Sequence, residues 1–204
     1  MRNVSVHNGK LSFPEARKLE QNGRRLISAR MAEKLLLEPA RTDDSMFSID
    51  RFWTGTIVAY PKANQAFGYE LEVPNRPLIF LLDTREFKGE KNMALVFEEF
   101  ELIPDGRERI FLPREVTPVA AFPQESGWYS LHESGVPVIN GQYNHYLWRW
   151  NDGRVGPVVR GFGKNSKEVF IHHRPSEKMP VLLTQGEPDG KKADVIPLQA
   201  ASRK

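Results

Sequence analysis

The apolar positions open on a short alternating stretch at residues 3–7, closed by the turn dipeptide Asn8-Gly9. Two helical patterns follow. Ser12 with Glu15 three residues later forms a capping box, Leu11 and Ala16 occupy the staple positions, and Pro14 is tolerated in a first turn. Phe13, Ala16 and Leu19 then share one helical face, and Gly23 predicts a left-handed stop. Ser28 is the second N-cap, ahead of Met31, Ala32, Leu35 and Leu36, with a halt near Pro39.

From residue 52 the period becomes that of strands. The run 52–60 is rich in β-branched and aromatic residues. Further strands are predicted at 67–73, 78–83, 93–103, 109–112, 116–121, 127–131, 143–150, 155–162 and 168–173, separated by Gly, Pro, Asn and Asp. Two early helices and many later strands predict an α+β fold. No linker or repeat divides the chain, so one domain is expected over 1–184. Residues 185–204 lose aromatic content and read as a partly ordered tail.

Composition narrows the picture. Of 204 residues, 40% are apolar and 27% charged, the balance of a packed domain. Lys and Arg exceed Asp and Glu by 29 to 26, and no binding motif accompanies that small excess, so nucleic acid is not an expected partner. The absence of cysteine removes disulfides, thiol nucleophiles and Cys-containing zinc sites. No apolar run is long enough to span a bilayer, and residues 1–7 lack the apolar core of a signal peptide. Cytoplasmic placement is the default expectation, with virion-associated or exported placement as alternatives.

Several segments carry a family resemblance. A helix opening Phe13-Pro14-Glu15-Ala16, the step Gly23-Arg24-Arg25-Leu26-Ile27-Ser28, a second helix and then Phe52-Trp53-Thr54-Gly55 stand in an order that resembles the opening half of a C-type-lectin-like domain. Gly127-Trp128-Tyr129, Tyr146-Leu147-Trp148-Arg149-Trp150, Gly153-Arg154-Val155-Gly156, Arg160-Gly161 and Arg174-Pro175-Ser176 are similar to segments of bacterial members of that fold. Those members are the formylglycine-generating-enzyme-like domains and the variable proteins of diversity-generating retroelements. The resemblance covers residues 3–60 and 127–184. It implies a C-type-lectin-like fold, with two N-terminal helices packed on a mainly antiparallel multi-strand sheet and 61–126 as an insertion. Formylglycine-generating enzymes act through cysteines, so that activity does not carry over to this chain.

The densest candidate chemistry lies at 143–154. Tyr143, Asn144, His145, Tyr146, Trp148, Trp150 and Arg154 are residue types that carry binding hot spots. Strand alternation places Tyr146, Trp148 and Trp150 on one face and Tyr143, His145, Leu147 and Arg149 on the other, one of them core. Within the resemblance, Trp150-Asn151-Asp152 matches a calcium-ligating motif, and Asn151 and Asp152 supply the hard oxygen ligands that ion takes. The family's companion Glu-Pro-Asn motif is absent from its expected place. Asn151-Asp152-Gly153 between two apolar runs is also a hairpin turn, the stronger reading. Apart from calcium at that turn, no cofactor is expected.

Other titratable groups offer weaker signals. Glu98, Glu99 and Glu101 supply carboxylates for acid–base work, with alternation placing Phe97, Glu99 and Glu101 on one face. His132, His145, His172 and His173 invite a metal reading, but adjacent strand residues point to opposite faces, so His172 and His173 cannot share one ion. Gly161-Phe162-Gly163-Lys164 lacks phosphate-loop spacing and reads as a turn.

The expected function is a ligand-binding module for a protein or carbohydrate, without chemistry of its own. The resemblance adds the role of a retroelement variable protein. Two alternatives remain: a hydrolase built from Glu98, Glu99 or Glu101 with His145, and a structural or virion-associated protein that assembles through its aromatic strands.

Overall fold

The computed structural model describes residues 3–20, 24–37, 49–60, 66–71, 78–83, 92–105, 108–140, 144–149, 155–161, 163–172 and 174–185. In chain order the elements are β1 (Asn3–Val6), α1 (Phe13–Arg17), β2 (Arg24–Leu26), α2 (Ala29–Leu37), β3 (Arg51–Ala59), β4 (Ala66–Leu71), β5 (Leu78–Asp83), β6 (Ala94–Asp105) and β7 (Glu108–Val119). They continue with β8 (Gly127–Leu131), β9 (Pro137–Val138), β10 (Tyr146–Arg149), β11 (Val155–Gly161), β12 (Glu168–Ile171) and β13 (Leu182–Gln185). Ten strands form one sheet in the order β4-β5-β7-β6-β3-β11-β12-β10-β8-β9, and β1-β13-β2 form a second. The β5–β7 and β10–β12 pairs are parallel, and the other described pairs are antiparallel.

β3 is the spine of this arrangement. Alternation sends Trp53, Ile57 and Ala59 to one side and Phe52, Val58 and Tyr60 to the other, and all six are buried. On the first side, α1 and the small sheet lay Phe13, Ala16, Leu26, Val181 and Leu183 against Trp53, Phe80, Phe97, Phe111, Val159 and Phe170. On the second side, Ala29 of α2 joins Val58, Val96, Trp148, Val158 and Val169. A strand covered on both faces has little use for polar residues, which is why 52–60 is nearly continuous in apolar and β-branched side chains.

Gly55 sets the depth of the first cover. A Cβ there would lie 3.0 Å from the Leu26 Cβ and 3.3 Å from Arg17 Nη1, so glycine lets β2 and Arg17 reach the backbone of β3. Arg17 Nη1 donates to the Gly55 carbonyl at 3.2 Å. Trp53 Nε1 donates to the Leu11 carbonyl at 2.9 Å, tying the segment before α1 to the same strand.

The α+β expectation, with two N-terminal helices packed on a sheet in C-type-lectin-like fashion, is overturned. The described residues are 55% strand and 13% helix, so the fold is mostly β, and the two α-helices among them have only 5 and 9 residues. The local signals behind that expectation are present. Ser12 accepts from the Glu15 amide at 3.4 Å and its own amide donates to Glu15 Oε2 at 2.9 Å, a complete capping box, while Ser28 Oγ accepts from the Met31 amide at 3.2 Å. What shortens α1 is tertiary. The chain turns after Lys18, Glu20 accepts the Leu26 amide at 2.9 Å, and residues 24–26 pair with β13 instead of continuing a helix. Gly23 lies outside the described residues.

Most strands fall where the periodicity places them, with three instructive differences. β13 is not expected from the sequence pattern, although it is the centre of the small sheet. The stretches 109–112 and 116–121 form one strand, β7, that contains Pro113 and Pro118. Both prolines lie beyond Phe111, where β7's pairing with β5 has ended, so their missing N–H groups cost no ladder bond on that edge. Within 61–126, β4 to β7 form one wing of the large sheet, and β6 pairs directly with β3.

Candidate ligand-binding face

The orientation of β10 decides which half of the 143–150 pattern faces solvent. Tyr146 pairs with Tyr129 and Leu147 with Trp128, while on its other side Leu147 pairs with Glu168. Directly paired residues share a face. Tyr146 and Tyr129 pack against the second core and Trp148 lies inside it, edge-on to Phe122 with ring centroids 5.3 Å apart. His145, Leu147 and Arg149 therefore point the other way, together with Trp128 and Glu168.

That other side is the face which carries the first core over β3, β6 and β12. Its cover ends at Phe170 on β12. Further out on this face, Leu147 of β10 is half-buried and Trp128 of β8 is 53% exposed. Across three strands one row reads Trp128, Leu147, Glu168, with Arg149 next to it along β10.

Glu168 organises the charge on this face. Its Oε2 accepts from Arg51 Nε at 3.1 Å and Nη2 at 2.8 Å, and its Oε1 accepts from Arg149 Nη2 at 3.3 Å. Arg51 also stands 5.3 Å above the Phe170 ring, which fixes its plane. Two guanidinium groups on one carboxylate leave a local positive excess. Arg149 Nε and Nη1 make no hydrogen bond among the described residues, and the Arg149 side chain is exposed.

Beneath β10 the strand is pinned from inside. The Tyr146 hydroxyl donates to Glu33 Oε1 of α2, and Arg160 Nη2 donates to Glu33 Oε2 at 2.5 Å. Arg160 has no exposed surface, and its guanidinium lies 5.4 Å from the Tyr146 ring. Burial pushes the Tyr146 phenol up to about 12, and the hydrogen bond to Glu33 acts in the same direction. Burial also lowers the Arg160 pKa, against the pull of Glu33.

The sequence-predicted site residues divide accordingly. Asn144 and His145 are exposed, Tyr146 is half-buried and engaged with Glu33, and Trp148 is a core residue. Tyr143, Trp150 and Arg154 lie outside the described residues, as do His173 and the Asn151 and Asp152 of the calcium reading. Among the described residues no group of three or more His, Asp or Glu is placed to hold a metal ion. His172 is engaged with Glu177 at 3.0 Å and accepts the Arg174 amide at 3.0 Å, and His132 Nδ1 lies 2.9 Å from Ser134 Oγ.

The carboxylates expected to work together are dispersed. Glu99 takes a left-handed φ of 51°, and the pair it would form with Arg114 drops out of an otherwise unbroken β6–β7 ladder. Strict alternation is interrupted there, so Phe97 and Phe100 both join the first core. Glu98 turns inward to Thr56, Glu99 reaches Arg25 at 3.5 Å and Glu101 reaches Arg114 at 3.4 Å. His145 stands at β10, four strand spacings from β6 in the sheet order, roughly 19 Å away.

Trp128, Arg51 and Glu168 are the site residues that sequence reasoning missed. The signal that could have found the first is Gly127-Trp128-Tyr129, a strand whose pairing with β10 no local pattern indicates. Arg51 is 96 residues upstream of Leu147, and only the sheet brings them together. No helix among the described residues is long and apolar enough to cross a membrane. No protein-family model, curated protein or solved structure matches this chain.

Proposed function

We propose that the protein is a ligand-binding module, and that the β8–β10 end of the large sheet, Trp128, His145, Leu147 and Arg149 bordered by Glu168 and Arg51, is its binding face. The observation that carries this reading is Trp128, an indole more than half exposed on a paired strand, beside Leu147 and near Arg149. Trp and Arg are the side chains that most often dominate binding energy, and a ring held on a paired strand loses little entropy on contact. The carboxylates favour this reading over hydrolysis, because Glu98 is buried against Thr56, Glu99 and Glu101 are held in ion pairs, and all three lie on β6, four strands away from His145 beside β10.

The test is to apply the labelled full chain, and a Trp128→Ala variant shown to be folded, to arrays of oligosaccharides and of protein domains. Binding that falls at least tenfold in Trp128→Ala, and is kept by Leu37→Ala on the exposed side of α2, is the expected result. Undiminished binding by folded Trp128→Ala would overturn the assignment of the face, and the absence of any binder on either array would count against a binding role.

A further inference from the structure

We infer that the ligand of this face is a carboxylate-bearing oligosaccharide, its sugar ring laid on Trp128 and Leu147 and its carboxylate taken by Arg149. The inference rests on the binding reading above and adds the chemistry of the ligand.

Charge complementarity is the first argument. Arg51 and Arg149 share the single carboxylate of Glu168, whose side chain is 13% exposed, while the arginines are 42% and 53% exposed. Glu168 holds the arginines in place without neutralising them. Arg51 spends Nε and Nη2 on that carboxylate, but Arg149 spends only Nη2. Among the described residues Arg149 therefore keeps two N–H-bearing nitrogens for an incoming anion, on a side chain already oriented by its bond to Glu168. Guanidinium recognises carboxylate by paired, directional hydrogen bonds, which suits a fixed anionic group on a ring better than diffuse negative charge.

Size is the second argument. The row Trp128, Leu147, Glu168 crosses two strand spacings, roughly 10 Å, the scale of a short oligosaccharide. A folded protein partner would need to cover about 800 Å² on this side around an apolar centre. Among the described residues the apolar centre here is two side chains, with Arg149, Glu168 and Arg51 beside them. A peptide bound by strand addition would use a sheet edge, whereas Leu147 lies on a strand paired on both sides, to β8 and to β12.

The experiment is titration calorimetry of the full chain with three probes. They are a tetrasaccharide alternating glucuronic acid and N-acetylglucosamine, a neutral tetrasaccharide of N-acetylglucosamine, and a hexaglutamate peptide. The acidic sugar should bind at least about tenfold more tightly than either control. Arg149→Ala and Trp128→Ala should each weaken it about tenfold, and Arg149→Lys, which keeps the charge but loses the fork, should weaken it severalfold. The affinity should also fall as salt is raised. Equal binding of the neutral sugar would overturn the inference and leave the binding face standing. Equal binding of hexaglutamate would replace the sugar by an acidic peptide. Binding of the acidic sugar that ignores both Trp128→Ala and Arg149→Ala, in folded protein, would sink the inference and the face together. No detectable binding of the acidic sugar would overturn the inference alone.

Discussion

Thr56 joins α2 to Glu98 through one hydroxyl: its Oγ1 accepts the Ala29 amide at 2.8 Å and donates to Glu98 Oε1 at 2.5 Å. Glu98 is buried, and burial pushes its carboxyl up to about 7, with Glu115 and Glu99 adding to the effect and Thr56 and Arg30 opposing it. The folded protein thus holds a proton that the unfolded chain, with a carboxyl near 4.5, has released. Stability contributed by Glu98 is complete below about pH 4.5 and is lost as the pH rises through about 7, a difference of roughly 3 kcal/mol at most. Glu98→Gln keeps an acceptor for Thr56 and does not ionise. In denaturant titrations it should match the wild type near pH 4 and gain on it progressively toward pH 8. A difference that stays constant across that range would contradict the buried-proton account.

Arg17 is 3% exposed inside a ring of four phenylalanines, with Phe100 nearest at 4.8 Å and Phe13, Phe80 and Phe111 within 5.8 Å. Its charge is met by Glu20 at 3.0 Å, whose side chain is largely buried as well. Removing one member leaves the other buried and unmatched. Arg17→Met should therefore cost about 3–5 kcal/mol in urea unfolding, while Arg17→Met with Glu20→Gln should cost distinctly less than the single change. Additive losses would show that the pair is not coupled.

Glu33 holds two elements at once, the Tyr146 hydroxyl of β10 and the Arg160 guanidinium of β11. Tyr146→Phe removes a single hydrogen bond and should lose about 1 kcal/mol. Glu33→Ala strands a fully buried arginine and should lose about 3 kcal/mol or more. Hydrogen exchange should report faster opening of β10 in Glu33→Ala than in the wild type, and unchanged protection there would show that β10 is held by packing alone.

Gly135 combines a φ of 79° with contact: a Cβ would fall 2.4 Å from the Ala29 carbonyl oxygen. Gly9 has a φ of 118° but open space around it. Gly135→Ala should lower stability by roughly 2–4 kcal/mol, whereas Gly9→Ala should cost only the backbone strain, about 1–2 kcal/mol. Equal melting temperatures for the two variants would refute the close approach of the 132–136 loop to α2.

Local structure is largely readable along the chain because its causes are local. The capping box of Ser12 and Glu15, the N-cap of Ser28 and the strand at residues 127–131 each depend on neighbours within a few positions. The fold class is not readable in this way, because two well-signalled helix starts say nothing about length. α1 stops once Glu20 and Arg17 are claimed by Leu26 and Gly55, partners that sequence order does not reveal. β13 escapes the pattern because Leu182, Leu183 and Thr184 are all buried, so its short run does not alternate between apolar and polar.

The candidate face divides in the same way. Alternation within β10 by itself separates Tyr146 and Trp148 from His145, Leu147 and Arg149, since a strand imposes a period of two whatever surrounds it. Which set meets solvent depends on where α1 and the small sheet lie, and their cover ends at Phe170. Strand pairing then sets Trp128 beside Leu147, and Glu168 draws in Arg51 from a remote strand. Periodicity is a property of one segment and can be read from it. Exposure and ion pairing are properties of neighbours, and only the folded sheet decides who the neighbours are.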